Sequence, residues 1–289
     1  MTIDPTSTHT LGHAHVSCFG KAPHDINWRL NDLQTTGDLE NPRNLLLFAR
    51  LSSIASAVEI STMYSPRVAN FNALLAEPEY YTHTITHGEF PLNLHRGAAA
   101  AGMEIPRGCA LFLHSADCPT VIIVDPIDKR VVAAHAGLGE LIKFSSFDVQ
   151  APHREHESVI DLMIGLFPEA HRERLLVKSV CGIDPAMYTH PTSDPRYGAS
   201  NHMLIEKILG RWGQSCIAGN QENGRINLHQ LILEQVASLG VSKENVSDDG
   251  VDTYSDMLNH QYCWWSHRRA THAQNNVGGR NGTLVVNSL

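Results

Sequence analysis

Apolar positions along this chain fall into two kinds of run, and the alternation between them predicts the order of its elements. The clearest pair is residues 120–124 and 131–134, two β-branched stretches around the turn Asp125-Pro126-Ile127-Asp128. Continuous apolar runs of this length, bounded by Pro and Asp, predict buried strands that pair as a hairpin or lie as sheet neighbours. Further strands are expected at 13–18, from Val58 onward, at 80–86 with strict alternation, at 110–114, 175–180 and 283–286. Spacing near 3.6 residues predicts helices over 43–57, 159–167, 201–212 and 228–239. Asn41 and Pro42 suit the start of the first, and Gly240 the left-handed stop of the last. Residues 1–12 read as a loose tail, and 97–106 and 262–269 read as loops. With no repeat and no low-complexity linker, 13–289 is expected to be one α/β domain, mixed β-sheets flanked by helices.

Composition narrows the function. A chain of 289 residues with 42% hydrophobic content can bury a full core. The net charge of −8 leaves no basic face, so neither a nucleic acid nor an anionic membrane is an expected partner. Six cysteines are scattered without a Cys-x-x-Cys pair, and the polar start resembles no signal peptide. No apolar run approaches a membrane span in length. The expected setting is the reducing cytoplasm, and the expected ligand a small molecule.

Candidate chemistry sits at the ends of the predicted strands. Cys118 lies just before the run at 120–124, and His135 ends the run at 131–134. Pairing across the turn puts both at one end of the sheet. His87 ends the strand at 80–86. One thiolate with two imidazoles suits Zn²⁺ and leaves a fourth position for water, which can then act as a nucleophile near neutral pH. The same atoms suit a different chemistry, with Cys118 as nucleophile and His135 as its base. Multicopper oxidation would need several His-x-His pairs, and His13-Ala14-His15 is one alone, so zinc is expected in preference to copper. Asp117 reads as a turn-capping side chain or as part of the site.

An ordered set of short motifs then carries a resemblance. His87-Gly88, Ala116-Asp117-Cys118-Pro119, Ala134-His135-Ala136-Gly137, Gly182-Ile183-Asp184-Pro185 with Tyr188, Ile226-Asn227-Leu228, Ser266-His267-Arg268-Arg269 and Gly279-Arg280 occur in turn. The chain so resembles the YfiH-like laccase-domain family, whose names include polyphenol oxidase, peptidoglycan editing factor and purine nucleoside phosphorylase. The resemblance implies one zinc ion on His87, Cys118 and His135. It also implies an α/β fold similar to that of the cytotoxic-necrotizing-factor catalytic domain, which has a Cys-His site. The implied activities are phosphorolysis of adenosine, inosine or methylthioadenosine, and deamination of adenosine. Phosphorolysis needs donors for an oxyanion, for which Arg268, Arg280 and Lys21 are candidates; deamination needs an activated water at C6 of the purine.

The chain departs from the pattern beside the expected metal. The family continues Ala-His-Ala-Gly with Trp-Arg-Gly, where Leu138-Gly139-Glu140 stands here. An N-terminal Ser-x-Arg-Gly-Gly is replaced by Ser17-Cys18-Phe19-Gly20-Lys21, and a late Cys-Thr by Asp252-Thr253. Lost Arg forks weaken phosphate capture in particular. Three readings follow: a zinc-dependent purine nucleoside enzyme, a Cys118/His135 hydrolase acting on a cell-wall precursor, and a non-catalytic metal-binding protein.

Overall fold

The computed structural model describes residues 4–21, 25–29, 42–67, 74–75, 80–87, 90–144, 156–274 and 278–288. Two mixed β-sheets face each other, with helices on both outer sides. The first sheet has seven strands, in the order β1 (Ser7–Leu11), β2 (Ala14–Phe19), β17 (Asn281–Asn287), β8 (Ala110–Ser115), β3 (Thr62–Arg67), β6 (Phe90–Ala99) and β5 (Tyr80–His87). The second has six: β14 (Val246–Asp248), β11 (Leu176–Val180), β9 (Thr120–Asp125), β10 (Arg130–His135), β7 (Gly102–Ile105) and β4 (Leu74–Leu75). Two short hairpins, β12 (Ile217–Ala218) with β13 (Arg225–Ile226) and β15 (Met257–Leu258) with β16 (Gln261–Tyr262), lie outside both. Most neighbours are antiparallel; β3 runs parallel to β6 and β8, β11 parallel to β14, and β4 parallel to β7.

The period-2 geometry of β9 explains why its sequence is apolar without alternation. Ile122 and Val124 join Val16, Leu111, Leu113 and Val285 in the core between the sheets. Val121 and Ile123 face the other way, into the core beneath α3 (Val159–Gly165), α4 (Gly198–Trp212) and α5 (Leu228–Ser238). A strand covered on both faces has no polar side to show. On the far side, α1 (Pro42–Ala57) packs Leu47, Phe48, Leu51 and Ile54 onto Phe112 and Leu284 of the seven-stranded sheet. Two short helices complete the set, α2 (Leu138–Leu141) and α6 (His267–His272). Among the described residues no helix is long and apolar enough to cross a membrane.

Four segments differ from the pattern-based expectation. The stretch at 97–106 is not a loop: β6 runs to Ala99 and β7 begins at Gly102. A Cβ at Gly102 would stand 2.0 Å from the Ala133 carbonyl oxygen, so the small residue there permits close strand approach and does not mark a turn. Within the expected tail, Ser7–Leu11 forms β1 by pairing with β2, Ser7 opposite Cys18 and His9 opposite Val16. The strand expected from Val58 begins at Thr62, after a turn in which Glu59 takes φ +56°. The expected polar loop at 262–269 contains the start of α6, because the Ser266 side chain accepts from the Arg269 amide and caps it. Asn41 and the His87 side chain lie outside the described residues.

Candidate active site

The hairpin register builds the site. His135 stands opposite Thr120 across β9 and β10, so Cys118, two residues before Thr120, shares its end of the sheet. The exit of β10 is fixed from both sides: the His135 amide donates to the Ala101 carbonyl at 2.8 Å and the Ala136 amide to that of Pro119 at 2.8 Å. Asp117 holds the other half of the pair. It adopts φ +76° and is 3% exposed, with Oδ1 accepting from the Thr253 hydroxyl at 2.8 Å and Oδ2 from the Arg268 amide at 2.7 Å. Both oxygens are used in tying the Cys118 loop to two distant segments, so the residue's observed contacts are those of a clamp.

Glu140 completes the cluster. Leu138 and Leu141 on α2 are buried in the helix-side core, which turns Glu140 inward at 1% exposure. Its Oε2 lies 3.5 Å from His135 Nδ1. Gly137 marks the point where the three side chains meet. A Cβ there would fall 2.8 Å from Glu140 Oε2, 2.9 Å from Cys118 Sγ and 3.0 Å from His135 Cε1. Burial alone would push the His135 imidazole down; the Glu140 carboxylate and the hydrogen-bonding Cys118 more than offset it and raise it to about 10. His135 Nδ1 and Glu140 Oε1 are both buried without a well-formed hydrogen bond.

One wall is aromatic. Thr189 bridges Arg225, so Tyr188 and His190 on either side of it share a direction, and their rings meet edge to face at 4.9 Å. The Arg268 guanidinium lies 5.0 Å from the Tyr188 ring centre and 3.3 Å from His190 Nε2. Burial, then the Arg268 charge, hold His190 down at about 3, a neutral ring at working pH. Burial also raises the Tyr188 phenol, with Cys118 adding to it, so the donor stays protonated. Cationic groups lie near as well. His114 is held down to about 3 by burial and by Arg96, Arg280, His135 and Arg29 nearby. Burial and Arg29 lower Arg280, while Cys118 and Asp117 draw it the other way.

The expected site residues thus fall into groups. Asp117, Cys118 and His135 are brought together, and Arg268 and Arg280 border them. Arg269 turns away to donate to the carbonyls of Thr253, Tyr254 and Trp264. Lys21 stands 3.6 Å from Asp25 and 5.1 Å from the Trp265 ring, and none of its described contacts reaches Cys118 or His135. Glu140 stands beside the expected metal as the departure at Leu138-Gly139-Glu140 implied, whereas His190, His114 and Arg29, and the contact of Thr253 with Asp117, were not anticipated. The i, i+3 spacing of Leu138 and Leu141 is the sequence feature that places Glu140.

For zinc the donor chemistry fits: a thiol and an imidazole converge, with an orphaned buried nitrogen and carboxylate oxygen beside them. Among the described residues, two groups of three potential ligands come within 4.8 Å of one another, His9–Cys18–Asp249 and Asp125–Asp128–His171; Cys118, His135 and Glu140 lie close but do not form such a group. In the second, Arg174 already neutralises the carboxylates, with Nη2 2.8 Å from Asp125 Oδ2.

No family model matches the sequence, and no curated protein does. Solved structures do. The hypothetical protein YfiH of Bacillus licheniformis superposes with a TM-score of 0.58 at 14% identity, over 94% of this chain and 92% of that one. YlmD of Geobacillus stearothermophilus gives 0.61 at 14% identity, over 94% and 90%. A Neisseria meningitidis protein assigned to family model DUF152 gives 0.56 at 13%, over 97% and 98%. Near-complete coverage on both sides, with the paired sheets carrying Cys118 and His135 at one end, gives this chain the α/β fold of the YfiH, YlmD and DUF152 proteins.

Proposed function

We propose that the chain is a divergent enzyme of the YfiH-like laccase-domain family that deaminates a purine nucleoside, with adenosine as the test substrate. Zinc would be held by Cys118 and His135, with His87 as the third ligand implied by the resemblance. When bound it supplies a Lewis acid that makes water nucleophilic near neutral pH. The observation that carries the reading is Glu140, a buried carboxylate against His135 and Cys118. Zinc deaminases of nucleobases pair their metal with a Glu that is not a ligand and moves the protons. Glu140 takes a proton from the attacking water as the C6–O bond forms. It returns that proton to the amine as the C6–N bond breaks, giving inosine and ammonia. Tyr188 and His190 offer an aromatic wall for the base or sugar, and neutral His190 a hydrogen-bonding edge. The same carboxylate repels phosphate, which disfavours phosphorolysis. All six cysteines are unpaired, which suits a reducing cytoplasm.

A second reading rests on a specific geometry. Cys118 and the Glu140 carboxylate both lie beside the His135 imidazole, the three residue types of nucleophile, base and orienting carboxylate. That arrangement suits a cysteine hydrolase, for which a cell-wall precursor is the substrate to try. His87→Ala separates the two. Under the zinc reading it abolishes ammonia release from adenosine and lowers zinc content in the purified protein. Full hydrolytic activity in His87→Ala, together with Cys118 freely alkylated in the native protein, would defeat the zinc reading.

A further inference from the structure

The remaining cluster of soft donors lies where β1 and β2 meet the ends of β11 and β14; its Cys181 directly follows Val180, which pairs with Thr120 of β9. We propose that His9, Cys18, Cys181 and Asp249 form a second zinc site that pins the seven-stranded sheet to the six-stranded one. Each ligand comes from a different segment. His9 is on the edge strand β1 and Cys18 on β2; the register sets His9 diagonally across from Cys18 on the same face, the one turned to the other sheet. Cys181 directly follows β11 in the facing sheet, and Asp249 directly follows β14.

The geometry is that of a site needing little adjustment. The candidate ligand atoms of His9, Cys18 and Asp249 all lie within 4.8 Å of one another. Donors around a tetrahedral zinc are about 3.3–3.8 Å apart, so side-chain rotations of modest size close the sphere. Cys181 stands beside this group, its thiol close enough to the Cys18 thiol to interact with it, and both residues are buried with free thiols. Cys181 holds this place with φ +61°, a conformation that a non-glycine residue rarely adopts without a reason in its surroundings. Asp249 is anchored by the amides of Cys181 at 2.9 Å and Val251 at 3.2 Å, with its Oδ2 3.8 Å from His9 Nε2. That His9 nitrogen is buried and has no hydrogen-bond partner among the described residues. Two thiolates and a carboxylate over-neutralise a divalent ion by one charge. Lys178, close enough to influence His9 and bonded to the Asp248 carbonyl at 3.0 Å, offsets it.

The test uses the full chain carrying Cys118→Ser and His135→Ala, which removes donors of the first site. With zinc as the probe, this protein should still bind the ion and melt at a higher temperature in its presence. Cobalt in place of zinc should show thiolate-to-metal charge-transfer absorption. Adding His9→Ala should weaken zinc binding by more than about 100-fold and erase the melting shift, since even outer-sphere partners cost 10- to 100-fold. His9 lies on an edge strand with a partly exposed side chain, so this variant keeps its core. Cys18→Ser should remove the charge-transfer intensity contributed by that thiolate. If the double variant binds no zinc, or if His9→Ala binds it with unchanged affinity, the site does not exist.

Discussion

At the scale of single residues, Gly137 is the condition for the others to meet. Its φ of −73° and ψ of 171° suit any residue, so Gly137→Ala leaves the backbone at ease. The added Cβ, however, stands within 3.0 Å of atoms from Cys118, His135 and Glu140. A shift of such groups by even about 1 Å costs on the order of 100-fold in rate. We therefore expect Gly137→Ala to lose activity and zinc affinity at Cys118 and His135, and to melt below the parent by the equivalent of about 1–3 kcal/mol of overpacking, as read by calorimetry beside a zinc titration. Glu140 sets the balance of activities. Glu140→Gln removes a general acid–base and should slow deamination by about 10²–10⁴-fold. Gly139→Arg with Glu140→Gly restores a fork for phosphate worth about 1.5–3 kcal/mol and should raise phosphorolysis selectively. The measured quantity is the ratio of ribose-1-phosphate to ammonia formed from adenosine at saturating phosphate. A parent protein in which phosphorolysis already dominates would mean that Arg29 and Arg280 supply the missing cation.

At the scale of elements, two carboxylates act as fasteners with different consequences. Asp117 joins the loop before β9 to Thr253 and to the first turn of α6. Asp117→Ala leaves a buried amide and hydroxyl unpaired and should cost about 2–4 kcal/mol in a denaturant midpoint measurement. The loss of activity should exceed what that destabilisation explains, because Cys118 moves with the loop. Asp125 fastens the β9–β10 turn. Burial would raise its carboxyl, but the Arg174 fork and the amides of Ile127 and Asp128 hold it at about 2, below its ordinary 3.8. A depressed carboxyl contributes stability that is fully present above pH 3.8 and lost as pH falls through about 2. Arg174→Met should therefore lower the melting temperature at neutral pH and flatten its fall between those two pH values. An unchanged acid limb in the variant would rule out Arg174 as the cause.

For the whole molecule, the covering of sheet edges governs behaviour. β1 pairs with β2 alone and closes one side of the seven-stranded sheet. Removing residues 4–11 would leave the β2 edge unpaired, an open row of backbone donors and acceptors next to the inter-sheet core. The truncated chain should melt at a lower temperature and associate at concentrations where the parent does not, as seen by size-exclusion chromatography. In the Cys118→Ser, His135→Ala background the truncation also removes His9, so the zinc-dependent melting shift of the second site should vanish with it.

Local chemistry was enough for much of this. The two apolar runs around the Asp-Pro turn predicted buried strands, a hairpin or sheet neighbours, and the hairpin that forms places Cys118 and His135 at one end, because pairing register follows from the turn. The helices at α1, α3, α4 and α5 were legible from their period, since each buries one stripe. Other features depended on partners distant in sequence. Gly102 looked like a loop residue until Ala133 was seen against it, and β1 looked like a tail because an edge strand with alternate exposed positions needs only its neighbour's ladder. Gly139 read as a lost cation in the sequence and Glu140 as an added anion; the burial of Glu140 against His135 is set by two leucines sinking into a core formed by α3 to α5. His190, Thr253 and Asp249 come from segments more than fifty residues from the motifs they serve. Which surfaces such loops touch is decided by how the two sheets stack, a property of the packed molecule and of no single stretch of chain.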